Sequence, residues 1–175
     1  MFAAYHRILT KRPILVQCAS TAVLFGAGDV IAQQIVEKQG WKNHDLNRTL
    51  RMSAFGGVFA GPALSTWYRF IDKKVTTTNR FKGLAIKVGL DQFVFAPFFI
   101  AAFFTGQGLF EGKSINEIKS KLESGYTTAL AGNYKLWPAV QIVNFYFTPL
   151  NYRLMVTNVV ALGWNAYLST VNQRS

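Results

Sequence analysis

The sequence predicts an all-α fold: a polytopic transmembrane helical bundle with about four spanning helices. Three observations predict it. Half of the 175 residues are hydrophobic and only 15% are charged. The charges gather in short stretches, and the runs Met52 to Tyr68, Gln92 to Phe110, Leu136 to Tyr152 and Leu154 to Gln173 carry none. Pro13 to Val36 carries only Asp29. At ~1.5 Å per helical residue such a run exceeds the ~30 Å of a bilayer's hydrocarbon core. A soluble helical bundle of this size shows polar faces along most of its helices, and this chain does not. The length is that of one domain, 1–175.

The chain opens with Arg7, Lys11 and Arg12 among Phe2, Tyr5, Ile8 and Leu9, and its first acid is Asp29. A basic, acid-free amphipathic start has the composition of a mitochondrial targeting segment, and equally that of the positive flank of a first membrane helix. The first apolar segment, about 13–36, sets Ala19, Ala22, Gly26, Asp29 and Gln33 on one helical face. Small residues let helices approach and polar ones are expensive against lipid, so this face points inward. Cys18, the single cysteine, permits no intrachain disulfide and reads as a small buried hydrophobe.

The second segment, about 52–71, carries Ala54, Gly57, Gly61 and Ser65 on one face, with Gly57 and Gly61 a literal GxxxG. Pro62 predicts a kink through the freed Val58 carbonyl. Trp67 and Tyr68, followed by Arg69, read as an interfacial belt. The third segment, about 88–110, begins with Lys87 and Asp91 at pairing distance on a helix, then Gln92 and a kinking Pro97. About 114–131, Ser114 and Glu117 have capping-box spacing, and Ile115, Ile118, Leu122 and Tyr126 share a face. This predicts one amphipathic surface helix, too polar to span.

The last apolar region, 136–152 continuing to 154–173, is interrupted by Pro149 and Arg153. Pro138 suits a first helical turn. Asn144, Asn151, Asn158, Asn165 and Asn172 recur every seven residues, which on one continuous helix makes a single stripe. Such a stripe faces other helices or water. Arg153, costly in a membrane unless paired, has Asp29 and Asp91 as the acids within apolar runs; Asp29 is favoured because Lys87 lies within one turn of Asp91. A faint repeat joins "DQFVFAPF" (91–98) to "VNFYFTPL" (143–150), as in transporters with duplicated, broken helices.

The net charge of +11 is split over several short loops, which speaks for anionic lipid and topology and against direct nucleic-acid binding. No Cys/His cluster has metal-ligand spacing, and no nucleotide-loop or nucleophile-elbow motif is present. The reading is therefore not an enzyme, with no metal and no cofactor.

At the family level, the tail "NYKLWPAVQIVNFYFTPLNYRLMVTNVVALGWNAYLS" closely resembles the signature of the Mpv-seventeen/peroxisomal membrane protein family. It falls on Trp137, Pro138, Gln141, Asn144, Phe145, Pro149, Arg153, Asn158 and Trp164 to Ser169. "GDVIAQQ" (28–34), "GPALSTWYRFID" (61–72) and "KVGLDQFVFAP" (87–97) extend the resemblance over nearly the whole chain. Ser65 stands where the family pattern has histidine, and Tyr134 where it has tryptophan. The resemblance implies a small integral protein of the mitochondrial inner membrane, or alternatively of the peroxisomal membrane, most like the fungal stress-related mitochondrial member. It implies links to pore-like conductance, mitochondrial DNA maintenance and stress metabolism.

The resulting expectation is a channel or metabolite-permeability protein; the alternative is a non-conducting scaffold for partner proteins or lipids. The pathway or polar core is assigned to Asp29, Gln33, Asp91, Gln92, Gln141, Asn144, Asn151, Arg153 and Asn158. Helix packing is assigned to Gly26, Gly57 and Gly61, and kinks to Pro62, Pro97 and Pro149. Expected partners are the bilayer with its anionic lipids, small metabolites or ions, and further copies or a larger membrane complex. With four spans the two termini and the 69–87 loop share a side, which positive-inside bias places in the matrix.

Overall fold

A computed structural model describes residues 11–174, with side chains through Val171. The basic start therefore lies mostly outside the described residues, as does the side chain of Asn172. Among the described residues the secondary structure is helical, arranged as five long antiparallel rods. The first is α1 (Pro13–Ile31), extended by a π-helical turn, Ala32–Val36. The second joins α2 (Leu46–Ala54) to α3 (Gly61–Lys74) through a π-turn, Phe55–Ala60. The third joins α4 (Arg80–Leu90) to α5 (Ala96–Phe110) through another, Asp91–Phe95. The last two are α6 (Ile115–Phe147) and α7 (Leu150–Arg174).

Local chemistry sets the ends of these rods. Asp45 and Asn79 cap α2 and α4, each side chain accepting from a backbone amide three residues on. Ser114 and Glu117 form the reciprocal capping box that starts α6. Pro62 and Pro97 each stand second in the helix that follows a π-turn. A proline lacks the amide its helix needs, and a π-bulge is one way a helix absorbs that loss while bending. Pro149 instead ends its helix: α6 stops at Phe147 and the chain reverses. Thus Phe-x-Phe-x-Pro continues a rod at 93–97 and breaks one at 145–149.

Three expectations are corrected. The amphipathic stretch 114–131 is no separate surface helix; it runs unbroken into the apolar stretch as the 33-residue α6. Pro138 accordingly sits inside that helix and not in a first turn. The C-terminal region passes twice: Trp137 meets Trp164 edge-on, and Tyr167 donates to the Thr128 carbonyl, so α6 and α7 form an antiparallel hairpin. α7 then runs parallel to α1, with Thr21 beside Asn158 and Asp29 beside Ser169. The amino end of α1 and the carboxyl end of α7 lie at opposite ends of the bundle, not on one side. We call the end holding the 75–79 loop and the 148–149 turn the basic end.

Three helical stretches, Pro13–Val36, Arg80–Phe110 and Leu150–Val171, are long and apolar enough to cross a membrane. The side-chain distribution agrees. Val23, Val58, Phe93, Phe98 and Val159 are exposed along the rods, while Asp29, Gln33, Asn144, Asn158 and Asn165 are fully buried. Apolar outside and polar inside is the arrangement expected in hydrocarbon. Phe25, Phe55, Tyr68, Phe103, Phe104 and Trp137 pack together as the aromatic part of the core.

Glycines set the closest approach. A Cβ on Gly61 would lie 2.8 Å from Cys18 Cα, and one on Gly57 would lie 3.0 Å from Ala22 Cβ. The rod of α2 and α3 therefore packs on α1 almost backbone to backbone. Gly26 faces the Ser53 hydroxyl, where a Cβ would fall at 2.2 Å.

Candidate functional site

The buried polar residues form a ladder along the inward face of α7. Arg153, Thr157, Asn158, Asn165 and Ser169 are all buried, about one helical turn apart or two. Each other rod adds groups at matching heights.

At the basic end, Asp72 bridges Lys87 and Arg153, the latter at 2.8 Å. Arg153 Nε also donates to the Thr148 carbonyl at 3.0 Å. The arginine thereby satisfies backbone that the hairpin break exposes. Asp72 lies outside the apolar stretch 52–71. Partial burial works to raise its carboxyl pKa, but the hydrogen bonds and charges of Lys87 and Arg153 outweigh this and hold it below the ordinary carboxylate value.

In the middle, Asp91 accepts from Trp67 Nε1 at 2.9 Å, Gln92 Nε2 at 2.8 Å and Gln141 Nε2 at 3.0 Å. Gln141 also donates to Tyr68, whose hydroxyl lies 2.8 Å from Thr157 Oγ1. Asn144 donates to Gln141, to Thr157 and to the Arg153 carbonyl. Asn133 donates to Gln92 at 3.0 Å. On α1, Gln17 accepts from Ser65 at 2.5 Å, and Thr21 accepts from Asn158 at 3.0 Å. A cavity of about 50 Å³ opens here, lined by Asp91, Gln92, Asn133, Gln141, Thr157 and Asn165 on its polar side. Phe25, Leu64, Phe95, Phe99, Ile100 and Trp164 line its apolar side. Neither side-chain atom of the fully buried Asn165 has a hydrogen-bond partner in the protein.

At the far end, Asp29 accepts from Arg48 Nε at 2.7 Å, Ser169 at 2.6 Å, Gln33 at 2.8 Å and Thr49 at 2.7 Å. Arg48 also grips Glu37 through both terminal nitrogens, at 2.8 and 2.6 Å. This two-pronged geometry is the strong form of an arginine–carboxylate pair. Among the described residues no three His, Cys, Asp or Glu side chains converge as a metal set.

Several sequence expectations are corrected by this geometry. Arg153 pairs with Asp72, not Asp29, because Asp29 lies beside Arg48 at the other end of the ladder. Lys87 pairs with Asp72, not Asp91, because α3 brings a carboxylate to it across the rods. Trp67 and Tyr68 are no interfacial belt: both turn inward to the polar network. The asparagine stripe is not one stripe. The reversal at Pro149 puts Asn144 on a different helix, and Asn151 is exposed. Asp29, Gln33, Asp91, Gln92, Gln141, Asn144, Arg153 and Asn158 lie in the buried network. Sequence reading missed Arg48, Glu37, Tyr68, Asn133, Thr157 and Ser169. Arg48 and Glu37 flank a charged loop and look solvated; no local signal marks them.

A family model described as "Mpv17 / PMP22 family" matches residues 108–169. "Protein sym-1" of Neurospora crassa is 45% identical over 175 residues, covering 98% of this chain and 99% of its own. "Mitochondrial inner membrane protein Mpv17" of Danio rerio is 43% identical over 169 residues, covering 97% of this chain and 95% of its own. The chain belongs to the Mpv17 / PMP22 family. The Rattus norvegicus protein of the same name is likewise 43% identical over 169 residues. This member is a mitochondrial inner-membrane protein. No solved structure matches it. Within the family match, residues 108–169, lie the α6–α7 hairpin and its break at Pro149, together with Gln141, Asn144, Arg153 and Asn158.

Proposed function

We propose that this protein is a gated channel or metabolite-permeability protein, without catalytic activity, that supports mitochondrial homeostasis, mitochondrial DNA maintenance and stress metabolism. The observation that carries this reading is the ladder itself. The polar faces of α1 and α7 meet along the bundle, through Thr21 with Asn158 and Asp29 with Ser169. A bundle needing only register-fixing contacts has no requirement for polar groups at every height. The ladder is sealed in this arrangement by ion pairs at both ends and by side-chain packing between them. Conduction requires α7 to part from its neighbours, and the irregular backbone at Thr148–Pro149 and the π-turns supply places to bend.

The charge distribution favours anionic solutes and lipids at the basic end. Lys73, Lys74, Arg80, Lys82 and Lys87 gather there around one acid, Asp72, whereas Glu37, Asp45, Glu111, Glu117 and Glu123 lie toward the other end. Focused positive potential raises the local concentration of anions. The scaffold alternative has its own support: most rungs are hydrogen-bonded to one another, as register-fixing contacts are. Purified protein in planar bilayers tests the proposal. Stepwise conductance with a measurable ion preference supports it; silent bilayers, with protein reconstituted and folded, support the scaffold.

A further inference from the structure

The central cavity has a neighbour on the membrane side. A groove of about 670 Å³ runs along the outer surface between the second and third rods. Val58, Pro62, Phe70, Val94 and Phe98 line it, with Trp67 and Phe95 at its floor. Both proline-marked π-turns contribute to it, Phe55–Ala60 through Val58 and Asp91–Phe95 through Val94. Val58, Phe70, Val94 and Phe98 are exposed, so the groove opens to hydrocarbon.

Only one layer separates groove from cavity. Phe95 lines both. It stacks on Trp67 with ring centroids 4.9 Å apart and 14° between planes. Trp67 in turn donates its indole N–H to Asp91 inside the cavity. The charge inside is unbalanced: Asp91 is 3% exposed and its partners are Trp67, Gln92 and Gln141, all neutral. Asn165, across the cavity, offers a buried amide with both atoms unpartnered in the protein. Buried polar groups of this kind call for a partner. The cavity of about 50 Å³ has room for roughly three or four water-sized groups, enough for a small polar head but not for a chain.

We propose that the groove and cavity together form a lateral site for a single-chain cationic amphiphile. Its protonated amine would rest between Asp91 and Asn165, and its hydrocarbon tail would lie in the groove, with the Trp67–Phe95 stack opening to admit the head from the bilayer. The charge complementarity is specific: an anionic head would meet Asp91 with no cation to balance it, and a neutral one would leave the carboxylate unpaired. This inference goes beyond the proposed pathway and does not depend on it.

The test uses full-length protein in nanodiscs of neutral phosphatidylcholine. Three probes of one chain length are compared at equal concentration per lipid: 11-bromoundecylamine, 11-bromoundecanol and 11-bromoundecanoate. Bromine on the tail quenches tryptophan emission from the groove, and the part lost in Trp67→Phe is the part that belongs to Trp67. The amine should quench saturably, at concentrations about tenfold or more below the other two, as a charge-assisted hydrogen bond requires. Asp91→Asn should erase that advantage. Phe98→Ala, on the outer wall and away from the core, should weaken quenching by the amine without altering thermal unfolding. Equal or non-saturable quenching by all three probes overturns the site, as does an unchanged amine advantage in Asp91→Asn. Because the readout is binding, silent planar bilayers with saturable amine quenching would remove the pathway and leave the site standing. Conductance without amine selectivity would remove only the site.

Discussion

Replacing Gly61 by alanine tests whether the second rod meets α1 backbone to backbone. The added Cβ would sit 2.8 Å from Cys18 Cα and 3.3 Å from Cys18 N. Ordinary carbon contacts are ~3.5–4.0 Å, so the rods must separate locally by roughly 1 Å. Both neighbours are backbone atoms, not a flexible side-chain tip that can swing away. One turn on, the 2.5 Å bond from Ser65 to Gln17 would stretch toward the edge of hydrogen-bonding range. Overpacking of this kind costs about 1–3 kcal/mol. A weakened interhelical hydrogen bond adds roughly 0.6 kcal/mol. Alanine's better helix propensity returns about 1 kcal/mol. The expected net loss is therefore about 0.6–2.6 kcal/mol, read as a lowered midpoint of thermal unfolding in detergent. Gly163→Ala is the control, since a Cβ there meets nothing within 4 Å. It should leave stability unchanged or raise it. A Gly61→Ala protein as stable as wild type, or an equal loss in Gly163→Ala, would refute the close-packed interface; Gly61→Leu should be worse than alanine.

Other outcomes follow from the ends of the ladder. Arg48→Gln leaves Asp29, which is fully buried, without its cation, and should cost about 3–5 kcal/mol, seen as lost abundance or a collapsed unfolding midpoint. If the pathway conducts, Arg153→Gln should shift ion preference away from anions, while the exposed Asn151→Ala should change nothing; reversal potentials in asymmetric salt distinguish them. The Asp72 ion pairs give a pH dependence. The folded protein binds the Asp72 proton more weakly than the unfolded chain, so this contribution is full above the ordinary carboxylate pKa and is lost as pH falls through the lower folded value. Asp72→Asn should flatten that acid limb of a stability profile. In a Cys18→Ala background, cysteines at positions 78 and 42 should label from opposite faces of mitoplasts, with 78 protected, because odd-numbered rods and positive-inside bias put the basic end in the matrix.

The apolar rods were legible because uncharged runs of membrane length have few other uses. The small-residue face of Gly57 and Gly61 was legible for the same local reason: its spacing is that of one helix. What failed were pairings across rods. Lys87 and Asp91 are four apart on one helix, yet Asp72 on the neighbouring rod takes the lysine. Arg48 and Glu37 resemble solvated loop charges, yet both close on Asp29 or its partner. The asparagine interval of seven was real in sequence but crossed a reversal at Pro149, so periodicity alone carried Asn144 and Asn158 onto one false helix. Proline marked the irregularities at 55–62, 91–97 and 147–150, though not the π-turn Ala32–Val36, and could not say which would bend and which would turn back. The same limit hid α6, whose polar first half and apolar second half read as separate elements.

If the ladder along α7 is the wall of a conducting path, Asn165 is its most telling rung. Cysteine is placed at 165 in a Cys18→Ala background, and conductance is recorded in planar bilayers while a small water-soluble thiosulfonate is added. Open channels should be blocked in steps, and cysteine at the lipid-facing position 159 should give no block. Steady conductance after modification at 165 is confirmed by mass would contradict it, because current would then flow without passing Asn165.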